Sequence, residues 1–251
     1  MKLSIVDNQR REAQPGLSGE CPVCKATTIA KCGEKNVWHW AHKGRRNCDR
    51  WWEPETEWHR SWKNHFPVEW QEIIHWAEDG EKHIADVKTS QDWVIEFQHS
   101  HIQPEERRSR EDFYEKMVWV VDGLRRKNDL KQFVEAVNYG QRISQKPLML
   151  SLSGDSCRLM RDWSSNSVPT FFDFGDDIRP NGLWMLTPMV SYHNAYAFLI
   201  DKASFVDGLK NSTFNPQPFF DLTKDYEKER RRKNRLHYTF NRRPRRSRSR
   251  F

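Results

Sequence analysis

His83-Ile84-Ala85-Asp86-Val87 and, seven residues further on, Ile95-Glu96-Phe97-Gln98 decide how this chain is read. Both runs alternate apolar and polar residues with period two, the pattern of half-buried strands. Ser90-Gln91 supplies turn chemistry between them. A hairpin that turns about Gln91 sets Asp86 opposite Glu96, with both side chains on one face and Cβ atoms about 5 Å apart. Alternation adds Gln98 and Ser100 to that face and sends Ala85, Val87, Ile95 and Phe97 into the core. Two opposed acids repel unless a cation lies between them or one keeps its proton. A divalent ion resolves the conflict, and oxygen ligands favour Mg²⁺ or Mn²⁺. Two ordinary acids on a solvated strand face are the competing reading of the same spacing.

Outward from the hairpin, the elements alternate. Pro54 suits the first turn of a helix, and Trp58, Trp62 and Phe66 recur every four residues, so a helix is expected over 54–66, stopped by Pro67. Its other face repeats Glu55, His59 and Lys63 at the same interval. Strands are expected at 68–76, 81–89 and 92–100, with Asp79-Gly80 turning the first pair. Pro104 opens a charged helix to about Lys116, and Met117–Val121 reads as a buried strand parallel to its neighbour through that crossover. A helix over 128–137 follows. The fold class is therefore α/β, an αβββαβ core on a mixed sheet.

The second cluster is made of sulfur and imidazole. Cys21-Pro-Val-Cys24 forms half of a zinc knuckle, and His39-Trp-Ala-His42 with Cys48 forms the other half. Two short chelating turns around a hairpin at 27–38 can surround zinc tetrahedrally. Six candidates compete for four places. Cys21, Cys24, His42 and Cys48 are the expected set, with His39 the main substitute and Cys32 behind it. Protein fills every position, so Zn²⁺ here is structural, and a zinc hydrolase would lack its open site. Lys25, Lys31, Lys35, Lys43, Arg45, Arg46 and Arg50 surround the cluster and suit a phosphate backbone; a charged surface is the alternative.

Taken in order, CPVC, HWAH, ETEWH, ADV, IEFQHSHI, the pair Arg110 and Tyr114, and VWVVD resemble the competence protein CoiA-like family of the PD-(D/E)XK nuclease superfamily, over about Cys21 to Asp122. The resemblance implies a restriction-endonuclease-like core and a small N-terminal zinc module. It implies Asp86 and Glu96 as ligands of catalytic Mg²⁺ or Mn²⁺, joined by Glu55, with Glu57 as fallback. It makes Gln98 the residue that orients the attacking water, where many superfamily members have Lys. An amide cannot take a proton or neutralise charge. Arg110 and Tyr114 match the family's R-x-x-x-Y, which implies a phosphate contact backed by a phenol.

Composition sets the remaining bounds. The 251 residues carry 36% hydrophobic and 13% aromatic side chains, too many aromatics for a mostly disordered chain. Ten of the twelve Trp lie between Trp38 and Trp119. The formal charge of +7 is unevenly spread: residues 221–251 hold 13 Lys/Arg against 4 Asp/Glu, leaving 29 against 31 in the first 220. Three parts are expected: a zinc-binding module at 1–50, a nuclease-like domain with an extension at 51–220, and a basic tail at 221–251, helical at first and disordered from Arg242. The tail suits salt-sensitive attraction to nucleic acid, with docking of a protein partner as the alternative. The first residues lack an apolar secretory segment, and the uncharged stretch 180–200 is interrupted, so it reads as two strands and no membrane span. The expectation is a cytoplasmic, metal-dependent nuclease acting on DNA in recombination, transformation or defence. A non-catalytic zinc-containing nucleic-acid adaptor is the rival, kept alive by Gln98.

Overall fold

The computed structural model describes residues 1–44, 48–49, 51, 54–76, 80, 82–191 and 193–241, without the side chains of 236–241. Strands β1 (Leu3–Val6), β2 (Gln9–Glu12), β3 (Ser18–Glu20), β4 (Thr27–Lys31) and β5 (His39–His42) form an antiparallel sheet in the order β2-β1-β3-β4-β5. It curls on itself: Trp40 N–H donates to the Met1 carbonyl at 2.9 Å, bringing β5 back towards β1. The enclosed core is small, built around Met1, Val6, Cys21, Val23 and Trp40. So few apolar residues leave a module dependent on whatever else crosslinks it.

The body follows as α1 (Glu57–Lys63), β6 (Gln71–Trp76), β7 (Lys82–Lys88), β8 (Val94–Gln98), α2 (Pro104–Phe113), β9 (Met117–Asp122), α3 (Asp129–Tyr139), β10 (Gln141–Gln145), β11 (Leu148–Ser153), α4 (Arg158–Trp163), β12 (Thr170–Asp173), β13 (Gly182–Leu186), β14 (Asn194–Asp201), α5 (Lys202–Lys210) and α6 (Gln217–Asn241). Nine of these strands make one mixed sheet, ordered β10-β11-β14-β13-β12-β9-β8-β7-β6. Among the described residues, the parallel neighbours are β8 with β9 and β9 with β12. The αβββαβ order is present, and five further strands and four helices extend it beyond residue 123.

Alternation along the central strands explains why the sheet is covered on both sides. In β9, Met117, Trp119 and Val121 pack with Phe133 of α3 and Trp163 of α4, while Val118 and Val120 pack with Trp62 of α1 and Phe205 of α5. A strand buried on both faces needs a continuous apolar run, and MVWVVD is one. The stretch at 180–200 contains β13 and β14, and among the described residues no helix is long and apolar enough to cross a membrane.

Several expected boundaries move: α1 ends at Lys63, β6 starts at Gln71 after a 3₁₀ turn at Val68–Trp70, β8 is confined to Val94–Gln98 and α2 ends at Phe113. The first helix starts at Glu57, not Pro54, because Thr56 caps it: its hydroxyl accepts from His59 N–H while the His59 ring reaches back to the Thr56 amide. Glu55 therefore precedes the helix. The charged segment at the C-terminus, expected to begin at 221, is helical from Gln217 through Asn241; residues 242–251, expected to be disordered, lie outside the described residues.

One buried acid ties α1 and α5 to the sheet. Asp173, at the end of β12, accepts from the indoles of Trp62 (2.8 Å) and Trp58 (3.2 Å) and lies 3.3 Å from Lys202 Nζ. Asp173→Ala leaves those donors buried without an acceptor and should lower the unfolding free energy by about 3 kcal/mol in urea titrations. Asp173→Asn should cost less. A loss below about 1 kcal/mol for the alanine variant would contradict this role.

Candidate functional site

Two sites emerge, one in each sheet. In the N-terminal module the chain between β3 and β4 makes a tight turn: Lys25 N–H donates to Cys21 O at 3.0 Å, and Cys21 N–H to Ala26 O at 2.8 Å. Lys25 adopts the left-handed conformation the turn requires (φ 62°). This turn aims Cys21 and Cys24 at His42, which ends β5, and at Cys48. One ligand atom from each of the four lies within 4.8 Å of the others. Cys21 and Cys48 sulfurs are 3.6 Å apart, and Cys24 Sγ is 3.3 Å from His42 Nε2. A tetrahedron with zinc's usual Zn–S and Zn–N bonds has edges of about 3.4–3.8 Å. The cluster fits a structural zinc ion. Burial, with Cys21 and Cys24 alongside, pushes the Cys48 thiol up to about 12, a proton that a bound metal would displace. His39 stays outside the set, its Nδ1 2.8 Å from the Val37 carbonyl, and so does Cys32.

The second site begins where a ladder stops. β7 and β8 pair at Val87↔Ile95 and Lys88↔Val94, the register of a turn about Gln91, and no further. Beyond Val87 the strands part, and acidic side chains occupy the seam. Asp86 N–H lies 3.3 Å from Glu96 Oε1, and Phe97 N–H donates to Asp86 Oδ2 at 3.0 Å. Each carboxylate accepts from the main chain of the opposite strand. Asp86 and Glu96 share a cavity of about 70 Å³ with Glu55, His59, Lys63, Glu72 and Arg110. The solvated-face alternative fails for Glu96, which is only 3% exposed.

Cations are distributed among these acids. Lys63 Nζ, from α1, lies 2.9 Å from Asp86, 3.4 Å from Glu72 and 3.7 Å from Glu55. Arg60 grips Glu55 with two nitrogens, each at 3.0 Å. Arg110 Nη1 is 3.2 Å from Glu96. The protonation pattern follows. Burial lowers the tendency of Lys63 to carry charge, but Asp86, Glu55 and Glu72 outweigh it and hold its pKa well above the ordinary lysine value. Burial also works against ionised Asp86, yet Lys63 holds its carboxyl below the usual range. For Glu96 burial wins, reinforced by the Asp86 charge, and pushes it up to about 8 against the pull of Arg110. The two neighbouring acids are thus pushed in opposite directions, Asp86 down by Lys63 and Glu96 up by burial and by the Asp86 charge.

Several expected site residues sit differently. Gln98 is fully buried, and its amide donates to the Ser100 carbonyl at 3.2 Å; it does not line the cavity. Arg110, expected to face a phosphate, is turned inward, bracing Glu96 and donating to the Trp51 carbonyl at 2.8 Å and to Glu106. Tyr114 caps the C-terminus of α2, and its hydroxyl is buried with no hydrogen-bond partner among the described residues. Lys43 is exposed beside the zinc cluster, while Arg45 and Arg46 lie outside the described residues.

Residues with no sequence signal of their own complete the cavity. Glu72 has a left-handed backbone (φ 50°) that turns its carboxylate under β1, where the Lys2 and Leu3 amides donate at 2.6 and 2.8 Å. Burial opposes its ionisation, but Lys63 and those amides hold it at about 2. Asp49, next to Cys48, bonds His83 Nδ1 (2.9 Å) and the Ile84 amide (2.8 Å). Trp51 stacks on His83 at 3.2 Å. Hence the last zinc ligand adjoins the residues that carry Arg110, and through it Glu96.

Residues 10–50 match the family model described as competence protein CoiA, N-terminal domain, so the zinc-type module is similar to that domain. No curated protein and no solved structure matches the chain.

Elemental analysis of the purified protein should find one zinc per chain. His42→Ala should lose it and His39→Ala should keep it. Retention by the His42 variant, or loss by the His39 variant alone, would reassign the fourth ligand.

Proposed function

We propose that this protein is a nuclease that uses Mg²⁺ or Mn²⁺ to hydrolyse phosphodiester bonds of DNA, with a restriction-endonuclease-like core of the PD-(D/E)XK kind and an N-terminal module stapled by zinc. The observation that carries the reading is the seam between β7 and β8, where Asp86 and Glu96 meet in one cavity beside Glu55. Acidic oxygens converge there from three parts of the chain, and hard divalent cations prefer such donors. A cation held by Asp86 and Glu96 would lower the pKa of a bound water and offset charge on the scissile phosphate.

The chain's own groups have distinct tasks. Lys63 supports the reading most, because it supplies from α1 the positive charge that Gln98 cannot bring from β8. Its ammonium reaches Asp86 and Glu55 together and can follow charge as it moves from acid to phosphate. Arg110 braces Glu96 from behind, and His59 donates towards the Phe97 carbonyl at 3.0 Å, fixing the strand that carries Glu96. Gln98 is a support for the loop at Ser100 in this scheme, not a water ligand. Lys43 and the basic face of α6, with Lys224, Lys228, Arg231, Arg232 and Arg235, would attract the nucleic-acid backbone without reading its sequence. Similarity of residues 10–50 to the competence protein CoiA N-terminal domain supports a role in competence, and the DNA handled there would be the substrate.

One observation favours the non-catalytic adaptor: Asp86, Glu55, Glu72 and Glu96 each already face a lysine or arginine. The two readings differ in cleavage. Asp86→Asn and Glu96→Gln should each lower Mg²⁺- or Mn²⁺-dependent cleavage of single- and double-stranded DNA by on the order of 10²–10³, and Lys63→Met by about 10², in proteins that remain folded by circular dichroism. Unchanged cleavage in the acid variants removes the assignment. DNA binding with no cleavage under either metal supports the adaptor.

A further inference from the structure

Beside the acidic cavity stands a histidine that the scheme above leaves idle. β8 and β9 are parallel neighbours, and the register that sets Gln98 beside Val121 brings His99 alongside Asp122 at their carboxyl ends. His99 Nδ1 lies 2.7 Å from Asp122 Oδ2. Asp122 is fixed in turn, because its other oxygen accepts from Leu124 N–H at 2.8 Å and the residue is only 5% exposed. An ionised carboxylate can only accept, so Nδ1 carries the hydrogen and Nε2 is the nitrogen left for chemistry. Among the described residues Nε2 has no hydrogen-bond partner, and the side chain is 37% exposed.

Position supports use. The His99 ring is 5.9 Å from that of His59, which lines the cavity and contacts the Phe97 carbonyl. His59 is itself engaged at both nitrogens, by Thr56 and by Phe97, and cannot exchange protons freely. The Trp58 ring, 6.3 Å from His99, flanks it on the α1 side. The crevice beyond the carboxyl ends of parallel strands is where open α/β sheets bind ligands. Lys63 and Arg110, which line the cavity, are held by carboxylates, and Gln98 has no acidic proton to give.

We propose that His99, oriented by Asp122, is the general acid that protonates the departing oxygen when the phosphodiester is cut, an inference that rests on the nuclease reading. In the step, a water oxygen forms the new bond to phosphorus and releases a proton to solvent. The bond from phosphorus to the bridging oxygen breaks, and His99 Nε2 delivers its proton to that oxygen. The imidazole then recovers a proton from solvent. The carboxylate keeps the ring in one tautomer and one orientation, as in other carboxylate–histidine pairs.

The test compares a DNA oligonucleotide with one carrying sulfur at the departing bridging position, that position being identified from the products of the wild-type reaction. A thiolate leaves without protonation, so loss of the acid should matter only for oxygen. His99→Ala and His99→Gln, the latter retaining a donor to Asp122, should cut the oxygen linkage about 10²-fold more slowly and the sulfur linkage within about threefold of wild type. Asp122→Asn should show the same selectivity with a smaller loss. Equal losses on both linkages, or none on either, overturn the proposal while wild-type cleavage still supports the nuclease. A wild-type protein that cuts neither linkage overturns both together.

Discussion

The parting of β7 from β8 after Val87 and Ile95 is the constraint on which the rest of the site depends. A continued ladder would join main chain to main chain and leave Asp86 and Glu96 as side chains on a strand face. Once the ladder stops, the freed amides need acceptors, and the carboxylates supply them: Asp86 accepts from Phe97, and Glu96 lies against the Asp86 amide. The acids are thus held by the fold before any ligand arrives. Their closeness, with Glu96 buried, creates a charge conflict that Lys63 relieves for Asp86 and leaves in part for Glu96. On the proposed reading, a divalent cation would relieve the part that remains.

The two sheets depend on each other at this point. Glu72 of β6 accepts the first amides of β1, and Arg10 reaches back to the Gln71 and Glu72 carbonyls. On the other side Cys48 leads into Asp49, which bonds β7, and then Trp51, whose carbonyl receives Arg110. A metal ion in the Cys₃His cluster would therefore do more than staple a small module. It would fix one end of the chain of contacts that ends at Glu96. The zinc-type module and the acidic cavity are separate in chemistry and continuous in structure.

Much of the core was legible because local patterns and the final fold agree. The period-two runs at β7 and β8, the turn about Gln91 and the apolar run of β9 each report a single dominant preference. The Cys/His cluster was equally open, since ligand spacing survives translation into space. Other features depend on contacts distant in sequence. Nothing near Glu72 announces that β1 will cover it, and Arg110, expected to contact a phosphate, meets Glu96 only in the folded chain. Lys63 reads equally as a solvated helix residue or a site group, because three acids meet it only in the folded chain. The helix start at Glu57 was missed because the His59 ring completes a capping box more often closed by Glu or Gln. The five strands after residue 140 carry no motif, and their order follows from packing across the sheet alone.

A crystal structure of the protein grown with Mn²⁺, with anomalous data, tests the central claim most directly. The account predicts an anomalous peak bound by oxygens of both Asp86 and Glu96, with the Lys63 ammonium withdrawn from Asp86. An ordered seam without manganese, Lys63 still seated against Asp86 at saturating metal, would contradict it and leave a zinc-stapled protein that binds nucleic acid without cutting it.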